Sequence, residues 1–96
     1  MTQLTLFFSA DLLETVRQVL IRAGIDGFLR VPNARGSKPQ AAWEHGRTPE
    51  WRAEMIIAVA EPDVTERIVT ELKDYANRCE VEPCLRILVS SLDAVY

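Results

Sequence analysis

Apolar and polar residues follow two spacings along the chain, one typical of strands and one typical of helices. Short apolar runs at residues 4–8, 27–31, 54–60 and 85–89 predict four strands. Between the first two runs, apolar side chains recur on one face of a predicted helix: Leu12, Leu13, Val16, Val19, Leu20 and Ala23. A second helical set lies between the last two runs: Val64, Ile68, Leu72 and Tyr75.

Both predicted helices begin with the sequence D-x-x-E, at residues 11–14 and 63–66. In a capping box the first side chain accepts hydrogen bonds from backbone N–H groups and the glutamate reaches back. We therefore expect Asp11 and Glu14 to cap the first helix, and the second motif to open the other helix. Gly24, just past the last apolar residue, predicts where the first helix ends.

The resulting order, β-α-β-β-α-β, predicts a single α+β domain over residues 1–96, a ferredoxin-like sandwich with a long loop between the second and third strands. Right-handed crossovers place both helices on one face of an antiparallel sheet. The face left bare is expected to carry Thr5, Phe7, Ile56, Ala58, Arg86 and Leu88. Because a small domain does not expose such an apolar patch stably, we expect the sheets to pack together in an oligomer.

The long loop, residues 33–52, shows neither the strand spacing nor the helix spacing of apolar residues. It holds the single histidine and both tryptophans. Residues 28–52 contain five basic and two acidic side chains, a charge of +3, while the whole chain carries −3, which leaves −6 elsewhere. Loops of this length are usually functional or disordered. The function is therefore expected in this loop, as binding of a small anion or of an acidic patch on a partner.

Composition excludes several classes of function. The net charge of the whole chain, −3, argues against nucleic-acid binding. No apolar run approaches the ~18 residues of a membrane span. The first residues lack the basic region of a signal peptide, so a cytoplasmic protein is expected. No nucleophile–base pair or second histidine is present, and we expect no enzymatic activity.

The sequence A-R-G-S-K at residues 34–38 suits an anion. Gly36 lets backbone N–H groups approach a ligand, Ser37 can donate a hydrogen bond, and Arg35 and Lys38 supply charge. A solvated flexible loop is the alternative. Arg86 lies in an otherwise apolar strand, and it either meets an anion, such as a carboxylate across a subunit boundary or a phosphate, or reaches water from a strand edge.

Two further features leave alternatives open. His45 beside Glu44 is a candidate metal site, but one chain offers too few ligands, so copies in an oligomer would have to meet. A ligand contact or an exposed loop histidine are the alternatives. Cys79 and Cys84 match neither a redox nor a zinc spacing, and two reduced thiols are expected. A turn that brings their Cα atoms within ~4.4–6.8 Å would instead permit a reversible disulfide.

Three segments resemble the PII-like signal-transduction superfamily: G-I-D-G-F-L-R-V at residues 24–31, A-R-G-S-K at 34–38 and H-G-R-T-P-E-W at 45–51. In that family the long loop is the T-loop. The resemblance implies a homotrimer with its sheets facing inward and adenine nucleotides bound in clefts between subunits. The T-loop then signals to a membrane transporter or a metabolic enzyme.

The departures from the classical PII pattern narrow what the resemblance implies. Residues 60–64, A-E-P-D-V, replace a loop that is rich in glycine and contains lysine, and the T-loop has no tyrosine. The chain is thus more similar to carboxysome-type PII-like proteins, which implies ADP, AMP or ATP as the effector, with bicarbonate, and no resident cofactor. The ligand-binding residues implied are Arg35, Gly36, Ser37, Lys38, His45, Gly46, Arg47, Thr48 and Arg86. The alternatives are a metal-binding or metal-tolerance protein of this fold and a ligand-free trimeric adaptor.

Overall fold

The structure is a computed structural model that describes residues 1–37, 50–78 and 84–96. Its elements follow the predicted order: β1 Thr2–Phe8, α1 Leu13–Arg22, β2 Leu29–Ser37, β3 Glu50–Ala60, α2 Pro62–Asn77 and β4 Leu85–Ser91. A 3₁₀ turn, Ala10–Leu12, leads into α1. The α+β ferredoxin-like fold is confirmed. Within the described ranges, no helix has the length and apolar content needed to cross a membrane.

The four strands form one antiparallel sheet in the order β2-β3-β1-β4. The central strand β1 pairs with β3 from Thr2, opposite Ala60, to Phe8, opposite Glu54. On its other side β1 pairs with β4 over the same seven residues. β2 and β4 are therefore the two edges of the sheet, and the most distant strands within one chain.

The helix-covered face of the sheet holds the core. From β1, Leu4, Leu6 and Phe8 are fully buried. Ile56 lies opposite Leu6 and Ala58 opposite Leu4, and both are buried as well. Directly opposite residues share a face, so the expectation that Ile56 and Ala58 lie on the bare face is wrong.

The bare face carries the other set of β3 residues, Met55, Ile57 and Val59. This run, M-I-I-A-V-A, is apolar on both faces. Because a shift of one residue exchanges the faces of a strand, the sequence of β3 does not fix its orientation. From the edge strands, Leu29 is 60% exposed and Leu88 is 55% exposed. These apolar residues on the face without helices agree with the prediction that one face of the sheet is left bare and apolar.

The capping box predicted for α1 does not form, and no side-chain hydrogen bond caps α1 or α2. Asp11 lies in the 3₁₀ turn before α1, and Leu12 occupies the N-cap position. α2 begins one residue before its motif, since Pro62 suits the first position of a helix. Asp63 then lies inside the first turn, where its charge complements the helix dipole.

Gly24 ends α1 as predicted. It has a φ of 86°, a left-handed conformation that favours glycine. Its N–H donates to the carbonyl of Ile21 at 3.0 Å, and the N–H of Ile25 donates to the carbonyl of Leu20 at 3.3 Å. These two bonds form a Schellman motif, which satisfies carbonyls that the helix leaves without intrahelical partners.

β2 and β3 are longer than predicted, and the segment between them is correspondingly shorter. β2 continues past Pro32 through a register shift between Val31 and Ala34, and Asn33 has a φ of 58°. Proline is tolerated at such irregularities and on edge strands. Residues 33–37 and 50–52, predicted as loop, are therefore strand. The segment that joins the two strands, residues 38–49, lies outside the described residues.

Candidate functional site

The far ends of β2 and β3 form a projecting two-stranded arm, which we call the basic hairpin: residues 34–37 paired with residues 50–53. β1 ends its pairing at Phe8, opposite Glu54, so in the described part of the chain residues 50–53 pair with β2 alone. Three of the predicted ligand-binding residues lie in this hairpin rather than in a loop: Arg35, Gly36 and Ser37.

Arg35 lies directly opposite Arg52 in the basic hairpin, and both residues are exposed. Side chains at such positions have their Cβ atoms about 4.5–5.5 Å apart, and like charges there destabilise the strand pair. Arg52 contributes to the +3 charge of residues 28–52, but it is not among the site residues predicted from the sequence. Only the register, which depends on the irregularity near Asn33, brings the two arginines together.

A buried carboxylate lies next to this arginine pair. Glu54 is on the same side of β3 as Arg52, because alternate residues of a strand share a face. It is only 7% exposed and lies opposite the buried Phe8. Arg30 satisfies it with two hydrogen bonds, from Nε to Oε2 at 2.8 Å and from Nη2 to Oε1 at 2.9 Å. This bidentate pair fixes the base of the basic hairpin.

The hydrogen bonds from Arg30 hold the pKa of Glu54 below its ordinary value of 4.5, although burial acts in the opposite direction. A carboxyl group with a lowered folded-state pKa stabilises the fold above its unfolded-state pKa, and this contribution is lost as the pH falls through the folded-state value. The ion pair is therefore at full strength at pH 7.

We expect the substitution Arg30→Leu to lower the melting temperature at pH 7, because it leaves the Glu54 carboxylate buried without its donors. The difference from the wild type should shrink as the pH falls through the lowered folded-state pKa of Glu54, because protonation of the carboxyl group removes the ion pair in the wild type. Thermal unfolding between pH 3 and 7 measures both effects. Arg17→Leu is the control, since the exposed pair of Arg17 with Glu14, at 3.3 Å, contributes little. A deficit that did not change with pH would contradict this account.

Arg86 lies in the opposite edge strand, β4, and is exposed. It is opposite Phe7, which places it on the bare face. This position agrees with the strand-edge alternative. Three strand spacings of about 4.8 Å separate β4 from β2 in one chain. Arg86 and the basic hairpin are therefore not brought together within a protomer, and only another subunit can place an Arg86 beside Arg35.

The arrangement of these strands and helices is shared with solved structures of known proteins. No protein-family model and no curated protein sequence matches the chain. The nitrogen regulatory PII-like protein CPII from Thiomonas intermedia, bound to ADP, AMP and bicarbonate, aligns over 92% of this chain and 86% of its own, with a TM-score of 0.71 and 17% identity. The chain has the PII-like fold.

Two further structures agree with this assignment of the fold. The apo form of CPII aligns over 93% of this chain and 87% of its own, with a TM-score of 0.67 and 18% identity. CutA1 from Pyrococcus horikoshii aligns over 100% of this chain and 87% of its own, with a TM-score of 0.69 and 18% identity. The resemblance drawn from three short motifs is thus confirmed at the level of the fold.

In this PII-like fold, the remaining predicted site residues belong to residues 38–49, the segment that joins the two strands of the basic hairpin. They lie outside the described residues: Lys38, His45, Gly46, Arg47 and Thr48. Glu44, the second residue of the candidate metal site, lies there too. In the part of the chain that the structure describes, no three His, Cys, Asp or Glu side chains are grouped so as to hold a metal ion.

The expectation of two reduced thiols is wrong, because Cys84 is disulfide-bonded. Cys79, the chain's other cysteine, lies outside the described residues. Cys84 is 8% exposed and has a φ of 42°, which is unusual for a residue with a side chain. Its carbonyl accepts a hydrogen bond from the N–H of Ser9 at 2.8 Å, so the disulfide adjoins the end of β1.

The helical side of the PII-like fold also has a groove, of about 680 Å³, between α1 and α2. Its lining residues are Arg22, Ala23, Asp63, Glu66, Arg67, Thr70 and Glu71. Two ion pairs lie in this lining: Arg22 with Glu71 at 3.0 Å joins the two helices, and Arg67 with Asp63 at 3.9 Å lies along α2. Acidic side chains outnumber basic ones by three to two in this lining. The groove therefore does not favour an anion, whereas the basic hairpin does.

Proposed function

We propose that the protein is a PII-like regulatory protein that senses an adenine nucleotide together with bicarbonate. The nucleotide is of the ADP, AMP or ATP class and binds at the base of the basic hairpin, in clefts between the subunits of a homotrimer. The protein acts by binding and does not turn its effector over. The residues proposed to contact the effector are Arg35, Gly36, Ser37, Lys38, His45, Gly46, Arg47, Thr48 and Arg86.

The observation that carries this proposal is the cross-strand pair of Arg35 and Arg52 within the basic hairpin. Two guanidinium groups beside one another present several N–H donors to one anion. The fold provides independent support, because CPII, which shares it, is bound to ADP, AMP and bicarbonate. Phosphate and bicarbonate are both oxyanions of the kind that two arginines bind.

The bare face of the sheet supports the homotrimer. It contains exposed apolar side chains on both edge strands, Leu29 on β2 and Leu88 on β4. Apolar surface of this kind marks an interaction site in a soluble protein. In the proposed homotrimer, the Arg86 that contacts the effector belongs to a second protomer, because one chain holds Arg86 and the basic hairpin at opposite edges of its sheet.

Signalling is proposed to run through residues 33–52, the segment predicted as the T-loop, in which residues 38–49 join the two strands of the basic hairpin. A ligand that binds one arrangement of the hairpin better than another shifts the population toward that arrangement. The recipient is proposed to be a membrane transporter or a metabolic enzyme in the cytoplasm. An acidic surface on that partner would complement the basic residues of this segment.

The similarity to CutA1 favours a second candidate, a metal-binding protein of the same fold. Its ligands would be Glu44 and His45, supplied by several subunits, because one chain offers too few for a closed site. Uptake of copper or zinc in stoichiometric amounts, lost in His45→Ala, would select this candidate over the nucleotide sensor.

Thermal unfolding in the presence of ligands tests the proposal first. The purified protein is heated with ADP, AMP or ATP, each with and without bicarbonate, and separately with divalent metal ions. A ligand at 100 times its dissociation constant stabilises the folded state by about 2.7 kcal/mol, which raises the melting temperature of a domain of this size by about ten degrees or more. We expect such a rise with at least one nucleotide.

Calorimetric titration then tests where the nucleotide binds. Arg35→Gln is expected to weaken binding of the active nucleotide about tenfold or more, because a charge-assisted hydrogen bond contributes about 1.5–3 kcal/mol. Arg22→Gln, in the helical groove, is the matched control and should bind like the wild type. No response to any nucleotide, or equal affinity in Arg35→Gln, would contradict the proposal.

A further inference from the structure

Cys84 takes no part in the proposed function, yet it is disulfide-bonded. Because the chain has two cysteines, its partner within the chain is Cys79. In the cytoplasm, the location proposed above, disulfides are rare and are usually transient or redox-sensing. This bond closes a ring of six residues, 79–84, and so restricts the unfolded chain less than a longer bridge does. Stability of the fold is therefore a weak reason for its presence.

Three restraints meet at Cys84, directly before β4 begins. Its side chain is 8% exposed and bonded through sulfur, and its carbonyl accepts a hydrogen bond from the N–H of Ser9 at 2.8 Å. Its φ is 42°, a left-handed conformation that is unfavourable for a residue with a side chain. The next residue, Leu85, is buried and pairs with Phe8, the last residue of β1. The disulfide thus helps to hold a strained residue where β4 joins the sheet.

We propose that the disulfide of Cys84 is a reversible redox switch that controls the start of β4. In the oxidised form the bond holds Cys84 at its positive φ and keeps Leu85 paired with Phe8. In the reduced form Cys84 is free to leave the left-handed conformation, which loosens its hydrogen bond with Ser9 and the first residue pair of β4. The inference rests on the proposed function in one respect, since Arg86, the second residue of β4, is proposed to contact the effector.

The reductant is a low-molecular-mass thiol of the glutathione class, and the reaction is thiol–disulfide exchange. A thiolate of the reductant attacks one sulfur, the S–S bond breaks, and the released cysteine thiolate takes up a proton. A second thiolate attacks the resulting mixed disulfide and releases the other cysteine, which also takes up a proton. Two electrons thus pass to the protein, which gains two thiols, and the reductant leaves as its own disulfide.

The structure also accommodates the reduced form of Cys84. Its sulfur lies 3.8 Å from the carbonyl oxygen of Tyr75, in the last turn of α2. A disulfide sulfur has no hydrogen to donate, whereas a thiol at this distance donates a weak hydrogen bond. The same carbonyl accepts from the N–H of Arg78 at 3.3 Å, which leaves a second lone pair for the thiol. The buried thiol therefore has an acceptor, and reduction does not require the domain to unfold.

Reduction of the full chain in glutathione buffers tests the switch first. The oxidised protein is equilibrated at increasing ratios of reduced to oxidised glutathione, free thiols are alkylated, and the alkylated fraction is measured by mass spectrometry. We expect both thiols to appear when reduced glutathione dominates, and the disulfide to form again when oxidised glutathione is restored. A disulfide that stays closed in a large excess of reduced glutathione is a structural one and would overturn the proposal.

Amide hydrogen exchange then measures what reduction changes. The N–H of Ser9 reports on the switch because it is bonded to the carbonyl of Cys84. We expect its exchange to become about fivefold faster or more on reduction, as one residue is released from an unfavourable backbone conformation. The N–H of Leu92 is the internal control, since it donates to the carbonyl of Met1 at 3.0 Å, at the other end of the β1–β4 pair, and should not change. Equal exchange of Ser9 in both forms would show that the switch is wrong.

Cys79→Ser separates loss of the disulfide from other effects of the reductant. The variant keeps the buried thiol of Cys84, so the N–H of Ser9 should exchange as it does in the reduced wild type, with or without glutathione. Exchange as slow as in the oxidised wild type would contradict the proposal, because the disulfide would then not hold the start of β4. The comparison of the two forms of the wild type does not depend on the folding of this variant.

Calorimetry with ADP, on the oxidised and the reduced protein, separates this inference from the function it rests on. We expect reduction to weaken ADP binding by up to about tenfold, the effect of one weakened charge-assisted hydrogen bond from Arg86. If ADP binds equally to both forms, nucleotide sensing stands and redox control of its site is wrong. If no adenine nucleotide binds to either form, the proposed function is wrong, whereas redox-dependent exchange of Ser9 would still support the switch.

Discussion

Leu88→Asp is expected to convert the proposed homotrimer into monomers. Leu88 is on the bare face of the edge strand β4, where its side chain is 55% exposed in one protomer. If three sheets pack on one another through this face, the substitution buries three carboxylates without partners, and the cost of doing so exceeds what a small interface provides. Light scattering after gel filtration should show a fall from three times 10.9 kDa, or 32.7 kDa, to 10.9 kDa.

Val89→Asp is the matched control for this experiment. Val89 is the next residue of the same strand and is 50% exposed, but it lies opposite Leu4 and therefore on the other face of the sheet. We expect this variant to remain a trimer. Dissociation of both variants, or of neither, would show that the bare face is not the interface between subunits. The proposal that Arg86 lies beside the basic hairpin of a neighbouring subunit would then also be wrong.

Ile56→Ala is expected to lower the free energy of unfolding by about 2–5 kcal/mol, the range measured for truncation of fully buried aliphatic side chains. Ile56 is completely buried and lies opposite Leu6, so the removed atoms leave a cavity between the sheet and the helices. This is a large share of the stability of a small domain, which is about 5–15 kcal/mol in total. Urea denaturation measures the loss.

Ile57→Ala is the partner experiment, because Ile57 is the neighbouring residue on the bare face, opposite Thr5. Its effect should depend on protein concentration, since it acts on association, whereas the effect of Ile56→Ala should not. Losses that are equal and independent of concentration would contradict the assignment of these residues to different environments.

Much of the fold could be predicted from local patterns. The helices follow from apolar residues spaced three or four apart, and the end of α1 follows from Gly24, whose left-handed conformation costs glycine least. The order of the elements restricts the topology further, because crossovers have a preferred hand. The helix starts were less predictable, since D-x-x-E is compatible with a cap or with a first turn, and Pro62 decided between them for α2.

The candidate site was predicted in part. The basic character of residues 28–52 indicated an anion, and Arg35 and Gly36 do lie at the base of the segment that joins β2 to β3. Arg52 was missed because its neighbour is set by strand pairing and not by sequence distance. The buried Glu54 was missed for the same reason, since its partner Arg30 is 24 residues away in the chain.

The sequence by itself determined the types and order of the elements, the apolar character of the sheet and the position of a basic segment, because these depend on each residue's own chemistry and near neighbours. Only the tertiary structure decided which face each residue of β3 presents, how far the hairpin extends and which charges meet. An irregularity of one or two residues, such as that near Asn33, changes every pairing beyond it. The arginine pair exists because of that register, and the proposed function depends on it.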